Sequence, residues 1–277
     1  MKRNGELYTA QKPAVRTIEI PLPSQAAALQ RTDELTVEIH GQRIHLALPH
    51  VDEPQSLSWL CPIAQWLSQE IMKVHQDFLS QNGVELACRS GCTHCCHLLI
   101  PVSVPEAMFI ADWLEGHSPA QLRCLRQRFA DSSRVYDIAA EQICQDPTIG
   151  RMISTRLLMR TASAQQQAHS PCPLLWEGLC SQYLTRPIAC REHVSRSADP
   201  ICKPADKVIR PPLSMLETLI QTCAAVEGSR QEIVPFRRLF AWADTHRRRW
   251  QRTYQPSAML EAMQSVINRL QSRSQPA

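Results

Sequence analysis

The 277-residue chain reads as mainly α: a helical scaffold around an irregular cysteine-rich metal-binding core, with a small N-terminal β-hairpin. Three observations predict this. Glycine is scarce, at 8 residues, and proline abundant, at 20, which suits helices punctuated by prolines better than a β-rich fold. Apolar residues recur at steps of three and four through much of the chain. Helix starts repeatedly pair a polar capping residue with a proline that fixes φ.

Residues 1–33 carry no clear pattern. Val37 and Ile39, a turn at His40, Gly41 and Gln42, then Ile44, Leu46 and Leu48 alternate as a hairpin does, and this is the one strand pair the sequence signals. From Pro62 the period changes. Ile63, Leu67, Ile71, Val74 and Phe78 make one apolar helix face that stops at Asn82 and Gly83. Ser103 with Pro105 opens a helix ending at Gly116, and Ser118 with Pro119 opens another with Leu122, Leu125 and Phe129 inward. Asp146 and Pro147 open a third, through Ile149, Ile153 and Leu157 toward Gln167. Residues 170–212 read as coil or turns, with Pro171, Pro173, Pro187, Pro200 and Pro204 inside them. Ser214 and Glu217 have the spacing of a capping box, ahead of Leu216, Leu219, Ile220 and Cys223 as an inward stripe. Helical patterns follow over 232–253 and 257–272. The expected divisions are 1–55, a segment with the hairpin; 56–212, a helical cysteine-cluster unit; and 213–277, helices packing on the same core.

The N-terminus lacks the apolar run of a secretory signal. The longest apolar stretch, from Leu98 to Leu114, contains two prolines, a Glu and an Asp, so no membrane span is expected. The formal net charge of +4 does not itself imply nucleic acid. The expected location is cytoplasmic, where thiols stay reduced and clustered cysteines are metal ligands or redox groups rather than a disulfide framework.

Eight of the 12 cysteines form two groups. Cys88, Cys92, Cys95 and Cys96 crowd into nine residues; Cys172, Cys180, Cys190 and Cys202 follow at wider spacing. Gaps of two and three residues let a loop wrap its sulfurs around one cation. The long coil also needs a reason inside a compact domain, and metal–thiolate bonds supply one. Thiolate is a soft donor that favours zinc, an iron–sulfur cluster or Cu(I) over Mg²⁺ and Ca²⁺. Eight ligands exceed the four of a structural zinc, which leaves one polynuclear centre, two sites or supporting roles open. Cys95 and Cys96 are adjacent, so a local bend is needed for both to face one ion. Neither the ferredoxin run nor a zinc ribbon is matched in full. Cys61, Cys124, Cys144 and Cys223 fall in helix-like segments and read as packed thiols.

Cys88, Cys92, Cys95 and Cys96, then Cys172-Pro173, Gly178, Cys180, Tyr183, Arg186-Pro187 and Cys190-Arg191, together resemble the CxxCxxCC cysteine-cluster family of YkgJ-like, zinc- or iron-chelating proteins. The likeness spans about residues 86–203 and departs at one place, since three residues separate Cys88 from Cys92. It implies a metal site, and one member, the flagellin lysine methylase, pairs the signature with methyl transfer.

Arg186 and Arg191, between ligand candidates, read either as offsetting thiolate charge or binding an anion, or as fixing the loop. His94, His97 and His193 flank the clusters and read either as ligands or, at least as readily, as neutral donors beside them, so they stay outside the ligand set; Tyr183 reads as packing. Arg237, Arg238, Arg247, Arg248, Arg249 and Arg252 mostly fall opposite Ile233, Phe236, Phe240, Ala243 and Trp250, on a solvated helix face, so nucleic acid is not the expected partner. The expected function is binding of zinc or an iron–sulfur cluster through the eight clustered cysteines. The alternatives are an Fe–S oxidoreductase or methyltransferase resembling the flagellin lysine methylase, and a zinc-stabilised adaptor for nucleic acid or protein.

Overall fold

Pro62 lies in the first turn of helix α1, Leu60–Gln81, where its missing amide costs no hydrogen bond. The computed structural model describes residues 15–19, 32–89, 91–144, 171–196 and 208–274. Ile63, Leu67, Ile71 and Val74 are buried along one face of α1 as their spacing predicts. Truncating one of them, Leu67→Ala, is expected to cost about 2–5 kcal/mol. Phe78 departs from the stripe: it is exposed and stacks on His40 at 3.7 Å. The helix ends where Gly83 takes φ 70° and the Val84 amide turns back to the Leu79 carbonyl at 2.9 Å.

The chain is mainly α, with seven α-helices among the described residues. Helix α2 (Val104–Glu115) opens with a full capping box between Ser103 and Glu106. Helix α3 (Pro119–Cys144) has the same device with Gln121, whose Oε1 accepts from the Ser118 amide at 3.2 Å while its own amide donates to Ser118 Oγ. The short α4 (Ile188–Glu192) is followed by α5 (Met215–Glu227), α6 (Leu239–Trp250) and α7 (Pro256–Ser274). Ser214 caps α5 by accepting the Glu217 amide. The Glu217 side chain pairs with Gln221 instead of returning to the cap, so only half of the expected box forms.

The N-terminal hairpin is present as β2 (Thr32–Ile39) and β3 (Gln42–Pro49), with β1 (Val15–Glu19) added in parallel on the far side of β3. Leu35, Val37, Ile39, Ile44, Leu46 and Leu48 all face the core. Strand β2 is an edge, and α7 covers it: Gln264 accepts from the Thr36 amide at 2.8 Å and donates to the Thr36 carbonyl at 3.0 Å. A side chain thereby occupies main-chain groups that an open edge would offer to another strand.

Three small strand pairs were not signalled in the sequence: β4 (Pro101–Ser103) with β9 (Ile233–Pro235), β5 (Leu175–Trp176) with β6 (Leu179–Cys180), and β7 (Val194–Ser195) with β8 (Val208–Ile209). Each is two or three residues long, too short for alternation to show. They replace part of the coil expected over 170–212 and the first turn of the helix expected over 232–253. There Ile233–Pro235 is strand and Phe236–Arg238 a 3₁₀ turn leading into α6. The helix expected from Asp146 and Pro147 lies outside the described residues. One buried apolar cluster runs from Leu35 through α1, α2 and α5 to Leu270. No helix among the described residues is long and apolar enough to cross a membrane.

Candidate metal centre

After Gly83 the chain runs beside β7. The Ala87 amide donates to the Ser195 carbonyl at 2.8 Å, and the Ser195 amide donates to Cys88 Sγ at 3.3 Å. Gly91, at φ 82°, reverses the chain. The bend that Cys95 and Cys96 require is a 3₁₀ turn over His94–His97, closed by Cys96 N to Thr93 O at 2.9 Å and Leu98 N to Cys95 O at 3.0 Å. In this tight turn the two adjacent thiols hydrogen-bond each other rather than pointing apart.

The second group is brought to the first by the backbone. The Cys172 amide donates to the Cys96 carbonyl at 2.7 Å. Cys172 then starts a turn that buries Leu174 and leads into the β5–β6 hairpin, where Cys180 sits opposite Leu175. Cys190 lies inside α4, its amide bonded to the Pro187 carbonyl at 3.0 Å.

Seven of the eight predicted ligands thus share one electrostatic neighbourhood. Cys88 feels Cys92 and Cys95; Cys96 feels Cys95, Cys172 and Cys190; Cys172 and Cys190 each feel Cys180 and Cys95. All seven are free thiols. Cys202 lies outside the described residues. Cys61 and Cys223 are buried elsewhere and Cys124 is exposed, so these three take no part.

The hydrogen bond from Cys96 draws the Cys95 thiol below its usual range against the effect of burial, with Arg186 assisting. Giving that bond pushes Cys96 far up. Burial lifts Cys172 to about 11, and it lifts Cys190 well above the usual range, with Cys95 and Cys172 adding to the rise. Thiols packed this closely resist ionising together unless a cation compensates them.

Two arginines face the thiols. Arg186 stacks on the exposed Tyr183 ring at 4.3 Å and favours the ionised forms of Cys88, Cys95 and Cys190. Arg237 does so for Cys172. The solvated face expected for the arginine-rich stretch is therefore corrected at Arg237, which is 2% exposed. The correction extends to Arg249, half-sunk between Glu227 and Glu232, whose carboxylates it pairs with. Arg191 serves the loop: it donates to the carbonyls of Leu184 and Arg186.

Two buried carboxylates hold α4, and sequence reasoning missed both. Glu106 Oε1 accepts from the Ile188 amide at 2.8 Å. Glu192 accepts from Ser214 Oγ at 2.6 Å, the Met215 amide at 2.7 Å and Ser68 Oγ at 3.2 Å, tying α4 to α5 and α1. The only sign of the first was a glutamate at the third position of a capping box; the second had none.

As they stand, no three or more His, Cys, Asp or Glu side chains among the described residues are arranged to hold a metal ion. The donor chemistry nonetheless suits a soft cation or cluster. Arg186 Nε is buried without a hydrogen-bond partner among the described residues, a group that a thiolate or sulfide acceptor would satisfy. Compared with protein-family models, with curated proteins and with solved structures, the chain matches none.

Proposed function

We propose that the chain binds zinc or an iron–sulfur cluster through Cys88, Cys92, Cys95, Cys96, Cys172, Cys180, Cys190 and Cys202, in the manner of the CxxCxxCC cysteine-cluster proteins that its motifs resemble. The observation that carries this reading is the 2.7 Å bond from the Cys172 amide to the Cys96 carbonyl, which joins two cysteine groups 76 positions apart in sequence. Thiols gathered this way, with Arg186 and Arg237 turned toward them, are a soft, anionic donor set. Bound zinc would supply cross-links that hold the 171–196 loops; a bound iron–sulfur cluster would supply one-electron chemistry. The protein's part is to hold the donors: the 3₁₀ turn presents Cys95 and Cys96, the hairpin presents Cys180, and Glu106 and Glu192 lock the helix that carries Cys190. A cytoplasmic setting, where these thiols stay reduced, belongs to the same reading.

Metal and sulfide content, with the visible spectrum of protein purified without oxygen, tests it. A brown protein with iron and sulfide, or a colourless one with stoichiometric zinc, is the expected result. Cys95→Ser and Cys180→Ser should each lower the bound metal. Protein without metal, or variants that retain it in full, would overturn the reading.

A further inference from the structure

Of the five large apolar side chains that stand exposed among the described residues, four fall in one short stretch: Trp176, Leu179, Tyr183 and Leu184. Single apolar residues in water need no explanation, but a run of them beside a groove marks a surface that another molecule covers. Trp176 and Leu179 are cross-strand partners in the β5–β6 hairpin, so they form one apolar pair. Leu184 is 85% exposed while its backbone is held, since Arg191 donates to its carbonyl. Beside this stretch a groove of about 230 Å³ opens between α2 and the loop. Phe109, Trp113, Leu174 and Pro187 line it, with Gln182 and Thr185 as its polar members.

The charge around these residues is mostly of one sign. Arg128 of α3 lies over the Trp176 ring at 5.1 Å and donates to the Leu175 carbonyl. Arg186 lies over the Tyr183 ring at 4.3 Å, and Arg191 beside it opposes it as a like charge. No carboxylate among the described residues is within ion-pair distance of these three guanidiniums. Glu106, whose charge Arg191 feels, is buried and occupied by Ser103 and Ile188. Glu177 is the one exposed acid within 171–196. A guanidinium lying on an aromatic face keeps donors at its edge for a carboxylate.

We propose that this face is a docking surface for an acidic segment of a partner protein, which packs an apolar side chain against Trp176, Leu179 and Leu184 and sets its carboxylates on Arg128, Arg186 and Arg191. Trp, Tyr and Arg are the residue types that carry most of the binding energy at protein interfaces. Arginines without acidic partners select a partner of opposite charge. A second copy meeting the same face through a two-fold axis would set arginine against arginine. A nucleic-acid strand would stack on the rings and pair with the arginines, but it has no match for Leu179, Leu184 and the apolar groove. The proposal goes beyond the metal reading and does not need it, although Cys180 lies in the same hairpin.

The test selects a display library of short random peptides on the full-length chain. The recovered peptides are then titrated by fluorescence anisotropy against wild type, Trp176→Ala, Leu184→Ser and Arg128→Gln. They should combine Asp or Glu with Leu, Phe or Trp, and each substitution should weaken them about 10-fold. Added salt should weaken them further. Trp176 and Leu184 are exposed, so their variants should unfold in urea and hold metal as wild type does. Recovery of no peptide, of peptides without acidic residues, or of peptides that bind all three variants as tightly as wild type overturns the proposal. Binding of oligo-dT that Trp176→Ala and Leu184→Ser abolish assigns the face to nucleic acid, and a sedimenting dimer that Leu184→Ser dissolves assigns it to a second copy; either result overturns it too. Metal content of the wild type is read separately, so a failure of the metal reading is distinguishable from a failure of this one.

Discussion

Glu106 Oε1 accepts the Ile188 amide at 2.8 Å while Glu106 Oε2 accepts the Ser103 amide at 3.0 Å, so one buried carboxylate caps α2 and holds the start of α4. Glu106→Ala strips both ends at once. Loss of the cap is worth about 1 kcal/mol, and the orphaned Ile188 amide about 1–3 kcal/mol more. Urea unfolding of the variant should show a loss of about 2–4 kcal/mol. Bound metal should fall too, since α4 carries Cys190.

Glu192 predicts a pH dependence. Burial raises its carboxyl from 4.5 to about 7 in the folded chain. Between these values the folded protein holds a proton that the unfolded chain releases, so this contribution to stability is full below pH 4.5 and is lost as pH rises through about 7. Its size is about 3 kcal/mol. His75 and His193, lowered by burial, act in the opposite sense below pH 6.5. The comparison of wild type with Glu192→Gln isolates the carboxyl: the wild type should lose more unfolding free energy than the variant between pH 5 and pH 8. Parallel curves would exclude a proton on Glu192.

Arg249 joins α6 to the end of α5 through Glu227 and to the β9 approach through Glu232. The Glu227 carboxylate side chain is 2% exposed, so removing its partner leaves a buried charge. Arg249→Met should cost about 3 kcal/mol by denaturant unfolding. Arg248→Met, on the exposed side of the same helix, should cost within about 0.5 kcal/mol.

The hairpin that carries Cys180 turns through Glu177 at φ 47° and Gly178 at φ 78°. Both central residues of a two-residue turn with positive φ match the type that prefers Asn-Gly. Glutamate adopts that conformation at a cost. Glu177→Asn should raise stability by about 0.5–1 kcal/mol, read as a higher melting temperature, without altering bound metal.

Cys124, exposed on α3, supplies the control for the thiol centre. Cys124→Ser should leave bound metal and the visible spectrum as in wild type, while Cys172→Ser reduces both.

Much of the scaffold was legible because its signals are local. The stripe from Ile63 to Val74, the caps at Ser103 and Ser118, and the alternation around His40 and Gly41 each depend on residues a few positions apart. Phe78, in step with the stripe but exposed against His40, shows where periodicity stops being informative: the last turn of α1 outruns the core. The cysteine groups were legible for the same local reason, as spacing.

The sequence by itself determined the class of fold, the helix boundaries marked by caps and prolines, and the thiols with ligand-like spacing. Only the tertiary structure decided that Cys96 and Cys172 share a hydrogen bond, that Glu106 and Glu192 clamp α4, and that Arg237 lies inside rather than in solvent. Each of these joins residues far apart in the chain, through hydrogen bonds and packed charge whose direction depends on how whole elements dock. A side chain's period along its own helix says which way it points from that axis. What waits there is settled by the elements that pack against it.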